Sequence, residues 1–291
     1  MPDLTDQKSK DEQISEGIER NCEEIDSFLD ANEEEFQKLS QGFINERLAI
    51  LETSPVSPND LSAFNDGWSG YIHENTEIKA VGYLDGFVLD DKTVYSSLLS
   101  TMREAHNSDA WKGKTARDMV GMAIDVSINR YFGNILSTDE VIKNRAFFYS
   151  ERTTSDSEAF SVAELRGKGV AACMEKAALG NNLFAFLGFE SQLVISKHSK
   201  LSGEDSPRED FHAFLYVNSG SSKTIIDSTN PIIISDETRR IGTYPSIYKL
   251  TSEQQVMFEN GQRISVTHND YKLSENGQRV PVSSTRSYSP K

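Results

Sequence analysis

The chain has 291 residues, 37% of them hydrophobic, and a formal net charge of −15. That length can bury a sizeable core and exceeds one typical domain, while the acidic balance argues against nucleic acid and anionic membrane surfaces as partners. Two cysteines far apart, Cys22 and Cys173, make no disulfide framework, and neither a membrane-length apolar run nor a secretory leader is read in the polar start Met-Pro-Asp-Leu-Thr-Asp, so the cytoplasm is expected, with non-classical export left open.

Residues 1–52 read as an acidic amphipathic helical extension. The first fifty residues hold 14 acidic and 5 basic side chains. Ser9 and Glu12 have capping-box spacing, and Ile14, Ile18, Ile25, Leu29, Phe36, Leu39 and Phe43 recur in steps of three, four and seven. One long helix or a helical pair fits, packed on its own domain or serving a partner or self-association. Ser-Pro-Val-Ser-Pro around Pro55 and Pro58 reads as a linker.

Residues 60–234 read as one α+β domain, with its core about 115–231. A turn-rich segment with Trp68 and Tyr71 and a short hairpin around Asp85-Gly86 precede helix patterns over Thr93–Ala105 and Thr115–Tyr131. Ser108-Asp-Ala-Trp-Lys-Gly-Lys-Thr115 has the second half of a phosphate-binding loop, but its first glycine is serine and no strand leads in, so an ordinary helix start is the better reading. Ser137 and Glu140 again have capping-box spacing. Helices thus come before the sheet.

The chemistry is concentrated between Gly167 and Pro231. Gly167 and Gly169 mark a turn running into a helix pattern that starts at Cys173 and ends at Gly188. A strand Ser191–Ile195 follows, then Phe211–Val217 with His212 and Lys223–Ile226 before Asp227, joined by the hairpin-like Asn218-Ser-Gly-Ser-Ser222. A free thiol, with a pKa of about 8.5, is a poor nucleophile at neutral pH. A helix N-terminus and an imidazole can help Cys173 ionise, and a carboxylate can hold His212 in one tautomer. Antiparallel pairing across the hairpin would bring His212 and Asp227 together. His73, His106, His198 and His268 are scattered, with His198 the rival base by proximity alone. No metal-ligand spacing occurs, and neither metal nor cofactor is expected.

These residues resemble the transglutaminase-like superfamily, a papain-like cysteine-enzyme fold that includes transglutaminases, peptide N-glycanases and bacterial cysteine peptidases. The resemblance lies in Cys173-Met-Glu-Lys-Ala on a helix, Leu187-Gly-Phe leading into a strand, His212-Ala-Phe, and Asp227-Ser-Thr-Asn-Pro. It covers roughly residues 160–231, with a weaker extension over Thr115–Tyr131. Ala171 stands where many members have glycine, and Phe214 where tryptophan is frequent. The likeness implies Cys173 as nucleophile, His212 as base and Asp227 as orienting carboxylate. It implies thiol acyl transfer on a protein or peptide substrate, most simply a cysteine peptidase or amidase. Transglutaminase, glutamine deamidase and inactive binding module stay open.

Residues 235–291 read as a C-terminal β-hairpin extension. Glu-Asn-Gly-Gln-Arg occurs at 259–263 and again at 275–279, and each Asn-Gly is predicted to turn a hairpin. Ser283–Lys291 is expected to fray.

Overall fold

A computed structural model describes residues 17, 20–52, 68–74, 76–78, 86–107, 113, 115–133, 138–151, 159–199, 210–219, 222–229, 234–235, 240–241, 247–273 and 279–290. The Ser9 capping box, the Pro55–Pro58 linker and most of the phosphate-loop-like stretch lie outside them. The fold mixes helices and an antiparallel sheet. Among the described residues no helix is long and apolar enough to cross a membrane.

The acidic N-terminal segment forms a helical pair, α1 (20–29) and α2 (Glu33–Glu52). Asn32 starts the second helix: its side-chain oxygen accepts the Glu35 N–H at 3.1 Å, and its amide reaches the Glu35 carboxylate. Cys22, Ile25, Leu29, Phe36, Ile44 and Leu48 are buried in the main core, so this face packs on the rest of the chain. Leu39, one of the apolar positions of the sequence pattern, is 49% exposed instead.

The short strands β1 (Trp68–Ser69) and β2 (Phe87–Val88) are followed by α3 (Thr93–His106), α4 (Ala116–Phe132) and α5 (Thr138–Glu151). An antiparallel bridge joins Ile78 to Phe87 around the expected Asp85-Gly86 turn. Thr115 caps α4 by accepting the Asp118 N–H, so the residue that closes the phosphate-loop-like stretch begins a helix. β3 (Phe160–Ser161) pairs in parallel with β2 and leads through a short 3₁₀ turn to α6 (Cys173–Phe186).

The main sheet comprises β4 (Ser191–Ser199), β5 (Asp210–Ser219), β6 (Ser222–Ile226) and, later in the chain, β9 (Ile247–Lys249), in the order β1-β4-β5-β6-β9. Every pairing within it is antiparallel. Between β6 and β9, the two-residue strands β7 (Ile234–Ser235) and β8 (Arg240–Ile241) pair with each other.

The strands alternate between two cores, as a period-two pattern requires. Leu193, Ala213, Leu215, Val217 and Ile226 join the helical layer with α6, while Val194, Phe214, Tyr216, Ile225 and Tyr248 join a second core. That second core is closed by α7 (Ser252–Glu259) and by a hairpin of β10 (Ile264–Leu273) and β11 (Arg279–Tyr288).

Two expectations for the C-terminal region are corrected. Asn260-Gly261 does not turn a hairpin. It ends α7, with Gly261 at φ +79 and the Gln262 N–H donating to the Met257 carbonyl at 2.8 Å, a Schellman closure. A Thr251–Gln254 capping box starts that helix and claims the residues for it. The second Asn-Gly lies outside the described residues, but its flanking strands pair from Leu273 with Arg279 to Ile264 with Tyr288. The stretch expected to fray therefore supplies six of the ten residues of β11. Tyr288 is fully buried, in ring contact with Phe214, Tyr248 and His212.

Candidate active site

Cys173 is the first residue of α6, and the turn before it fixes where it sits. Gly167 and Gly169 have φ of +69 and +65, the left-handed region that glycine adopts without a Cβ clash. Their N–H groups donate to the Tyr131 and Phe132 carbonyls at the end of α4. Arg145 on α5 donates to the Val170 carbonyl at 2.9 Å and to the Glu175 carboxylate at 2.8 Å. The other Glu175 oxygen accepts the Ala172 N–H at 3.0 Å. A carboxylate in the first turn also suits the positive end of the helix dipole.

The rest of α6 is buried on nearly all sides. Leu183 and Phe186 are fully enclosed, each side chain worth roughly 1.5–3 kcal/mol of transfer free energy. Asn182 accepts the Ile72 N–H and donates to the Ile72 carbonyl, pinning the helix to the segment after β1. Gly180 permits close packing: a Cβ there would lie 2.8 Å from Leu215 Cδ1 and 2.9 Å from Ile128 Cδ1. The helix that carries the thiol cannot easily shift.

His212 lies on β5 opposite Ser196 of β4, where the register then slips by one residue to pair Asp210 with Ser199. Such bulges re-aim side chains at the end of a strand. Asp227 directly follows β6, and the Leu215–Ile226 register sets it diagonal to His212, as the hairpin reading required. The two meet: His212 Nε2 lies 2.8 Å from Asp227 Oδ2. The Cys173 side chain interacts with the same ring and favours its charged form. Cysteine from the helical layer thus meets histidine and aspartate from the opposite face of the sheet. Cys173 is partly exposed, whereas Cys22 is buried.

Asp227 is fully buried and receives more than the imidazole. Tyr288 donates its hydroxyl to Oδ2 at 2.9 Å, and Arg286 Nη1 donates to the same oxygen. Thr229 donates its N–H and hydroxyl to Oδ1, and its hydroxyl oxygen accepts from Arg286 at 3.0 Å. Burial alone would raise the Asp227 carboxyl, but His212 and Arg286 hold it well below the usual carboxylate range. Burial opposes charge on the His212 ring, yet Asp227 and the Cys173 sulfur outweigh this and raise its pKa to about 9. Burial drives the Tyr288 hydroxyl well above its ordinary value, with Asp227 adding to it, so it stays a donor.

Lys176 lies one helical turn after Cys173 and is 4% exposed. Its ammonium donates to Asn129 Oδ1 of α4 and to the Ser228 carbonyl, both at 2.9 Å, tying α4, α6 and the turn after Asp227 together. Burial lowers its pKa to about 8, against the pull of Asp125, Asp227 and Cys173.

The structure therefore brings Cys173, His212 and Asp227 into one chain of contacts. Of the other histidines, His73 packs on Tyr71 and His106 pairs with Asp30 at 2.9 Å, while the side chains of His198 and His268 lie outside the described residues. Sequence reasoning did not find Arg145, Lys176, Arg286 or Tyr288. Among the described residues no cluster of three or more metal-ligating side chains occurs. Comparison of the chain with family models, with curated proteins and with solved structures gives no match.

Proposed function

We propose that the chain is a cysteine hydrolase of amide bonds, a peptidase or amidase, with Cys173 as nucleophile, His212 as acid and base, and Asp227 as the group that orients the imidazole. The observation that carries this reading is that the His212 ring interacts with both Asp227 and Cys173, with an ionised, buried carboxylate on one side and a partly exposed cysteine on the other. A helix-borne cysteine followed by a strand-borne histidine and an aspartate just after the next strand is also the order of the transglutaminase-like superfamily, and a papain-like fold is inferred with it.

The chemistry follows from the geometry. His212 takes the Cys173 proton on the ring nitrogen that does not face Asp227, and the thiolate adds to the carbonyl carbon of the amide. The resulting oxyanion is met by the Cys173 N–H at the start of α6, one of the helix's unpaired donors, while the Ala172 N–H is already engaged by Glu175. Collapse breaks the C–N bond as His212 passes its proton to the departing amine, leaving a thioester. His212 then removes a proton from water, hydroxide adds to the thioester carbonyl, and the thiol leaves with the acid released. An amine in place of water would make the same thioester a transglutaminase intermediate, and a glutamine side chain as donor would make the reaction a deamidation.

The test is a mass-spectrometric comparison of cell lysate treated with the native chain and with Cys173→Ala. New peptide termini that depend on Cys173 support hydrolysis. Glutamine-to-glutamate conversion, or glutamine–lysine cross-links, would replace it with deamidation or transamidation. No difference of any kind would overturn the enzyme and favour a binding module.

A further inference from the structure

We propose that Arg286 is a positioning residue that sets how tightly His212 holds its proton, acting through Asp227. The idea rests on the proposed role of His212 in carrying a proton between sulfur and leaving amine.

An imidazolium that faces a lone buried carboxylate is stabilised so strongly that it becomes a reluctant acid. Arg286 is placed to moderate this. Its guanidinium donates to Asp227 Oδ2, the same oxygen that faces His212 Nε2, so the arginine and the imidazole draw on one negative charge. It also reaches the Thr229 hydroxyl, which itself donates to the other carboxylate oxygen, so one side chain fixes both the charge and the orientation of the acid. Arg286 is 12% exposed and Asp227 fully buried, which leaves little water to screen the pair.

The remaining ionisable groups around His212 are accounted for from each packed element. Cys173 and Lys176 come from α6, Asp125 of α4 faces Lys176, Tyr288 of β11 donates to Asp227, and Tyr248 of β9 faces Arg286 and Tyr288. Asp227 is thus matched by Arg286, and Asp125 by Lys176. The Cys173–His212 pair is left to exchange its proton in a site whose other buried charges are balanced. Nothing in Ser283–Lys291 announces this as a sequence, because Arg286 is 59 residues from the carboxylate it serves.

The experiment is an NMR titration of the His212 ring in full-length, histidine-labelled protein carrying Cys173→Ala, with the signal assigned by its loss in His212→Gln. In that background Arg286→Gln is expected to move the His212 midpoint upward by about one unit, because the uncompensated carboxylate then stabilises the imidazolium. Arg286→Lys keeps the charge without the fork geometry, and is expected to move it upward by less. Should Arg286→Gln fail to fold, the sign of the Arg286→Lys shift decides. A fall or no movement overturns the proposal, since a purely structural arginine would on removal release Asp227 from the ring. The comparison is made without the thiol, so it stands or falls separately from the hydrolase reading, which is judged by the reactivity of Cys173 itself.

Discussion

Cys173 and Asp227 stand on either side of the His212 ring, but different parts of the molecule hold them. The cysteine is set by its immediate surroundings: the Gly167–Gly169 turn, Glu175 in the same helical turn, and Arg145 from the preceding helix. The aspartate is set by Arg286 and Tyr288 on β11, 59 and 61 residues away. The nucleophile is therefore a product of local structure, whereas its acid–base partner depends on a C-terminal hairpin that closes a second core. A site assembled in this way forms completely only when both cores have formed.

The largest expected break is on the hairpin side. Asp227→Ala leaves Arg286 buried with its main counter-charge gone, and should cost about 3–5 kcal/mol in denaturant unfolding, as loss of one member of a buried pair does. The matching break on the helical side is Arg145→Met, which strands the buried Glu175 carboxylate and should cost about 3 kcal/mol. If Arg145→Met also slows alkylation of Cys173 while Asp227→Ala does so without shifting the α6 amide signals, the two supports are separable.

The pH dependence of stability sharpens the comparison further. His212 has a folded pKa of about 9 against an ordinary 6.5, so its contribution is fully present below pH 6.5 and is lost as pH rises through 9. Unfolding measured across that window should show a decline of order 3 kcal/mol that His212→Gln removes. The smallest effect is Tyr288→Phe, which removes one of three donors to Asp227 Oδ2 and should cost about 1 kcal/mol. A much larger loss would mean that the hairpin is held to the sheet chiefly through this hydroxyl.

What could be read from the chain divides along the same line. Cys173, His212 and Asp227 were legible because each is an unusual residue on a recognisable element, and the short hairpin between β5 and β6 brings the last two together by local pairing. Helices α3 and α4 were legible from their apolar periodicity and the Thr115 cap. Arg286 and Tyr288 were not, because a serine-rich tail with one arginine looks solvated until a partner strand and a buried carboxylate claim it. Lys176 was read only as part of the Cys173-Met-Glu-Lys-Ala block, with no role of its own, although its buried ammonium ties three elements together. Asn260-Gly261 was misassigned because the same pair suits a hairpin turn and a helix end, and the Thr251 capping box upstream settles which one forms.

The central claim is that imidazole and sulfur act as a pair, and the most direct measurement is the rate at which iodoacetamide labels Cys173 at pH 6 in the native chain and in His212→Gln. The account expects native labelling to be at least about tenfold faster, since an unassisted thiol is almost wholly protonated at that pH. Equal, slow labelling in both proteins would contradict it.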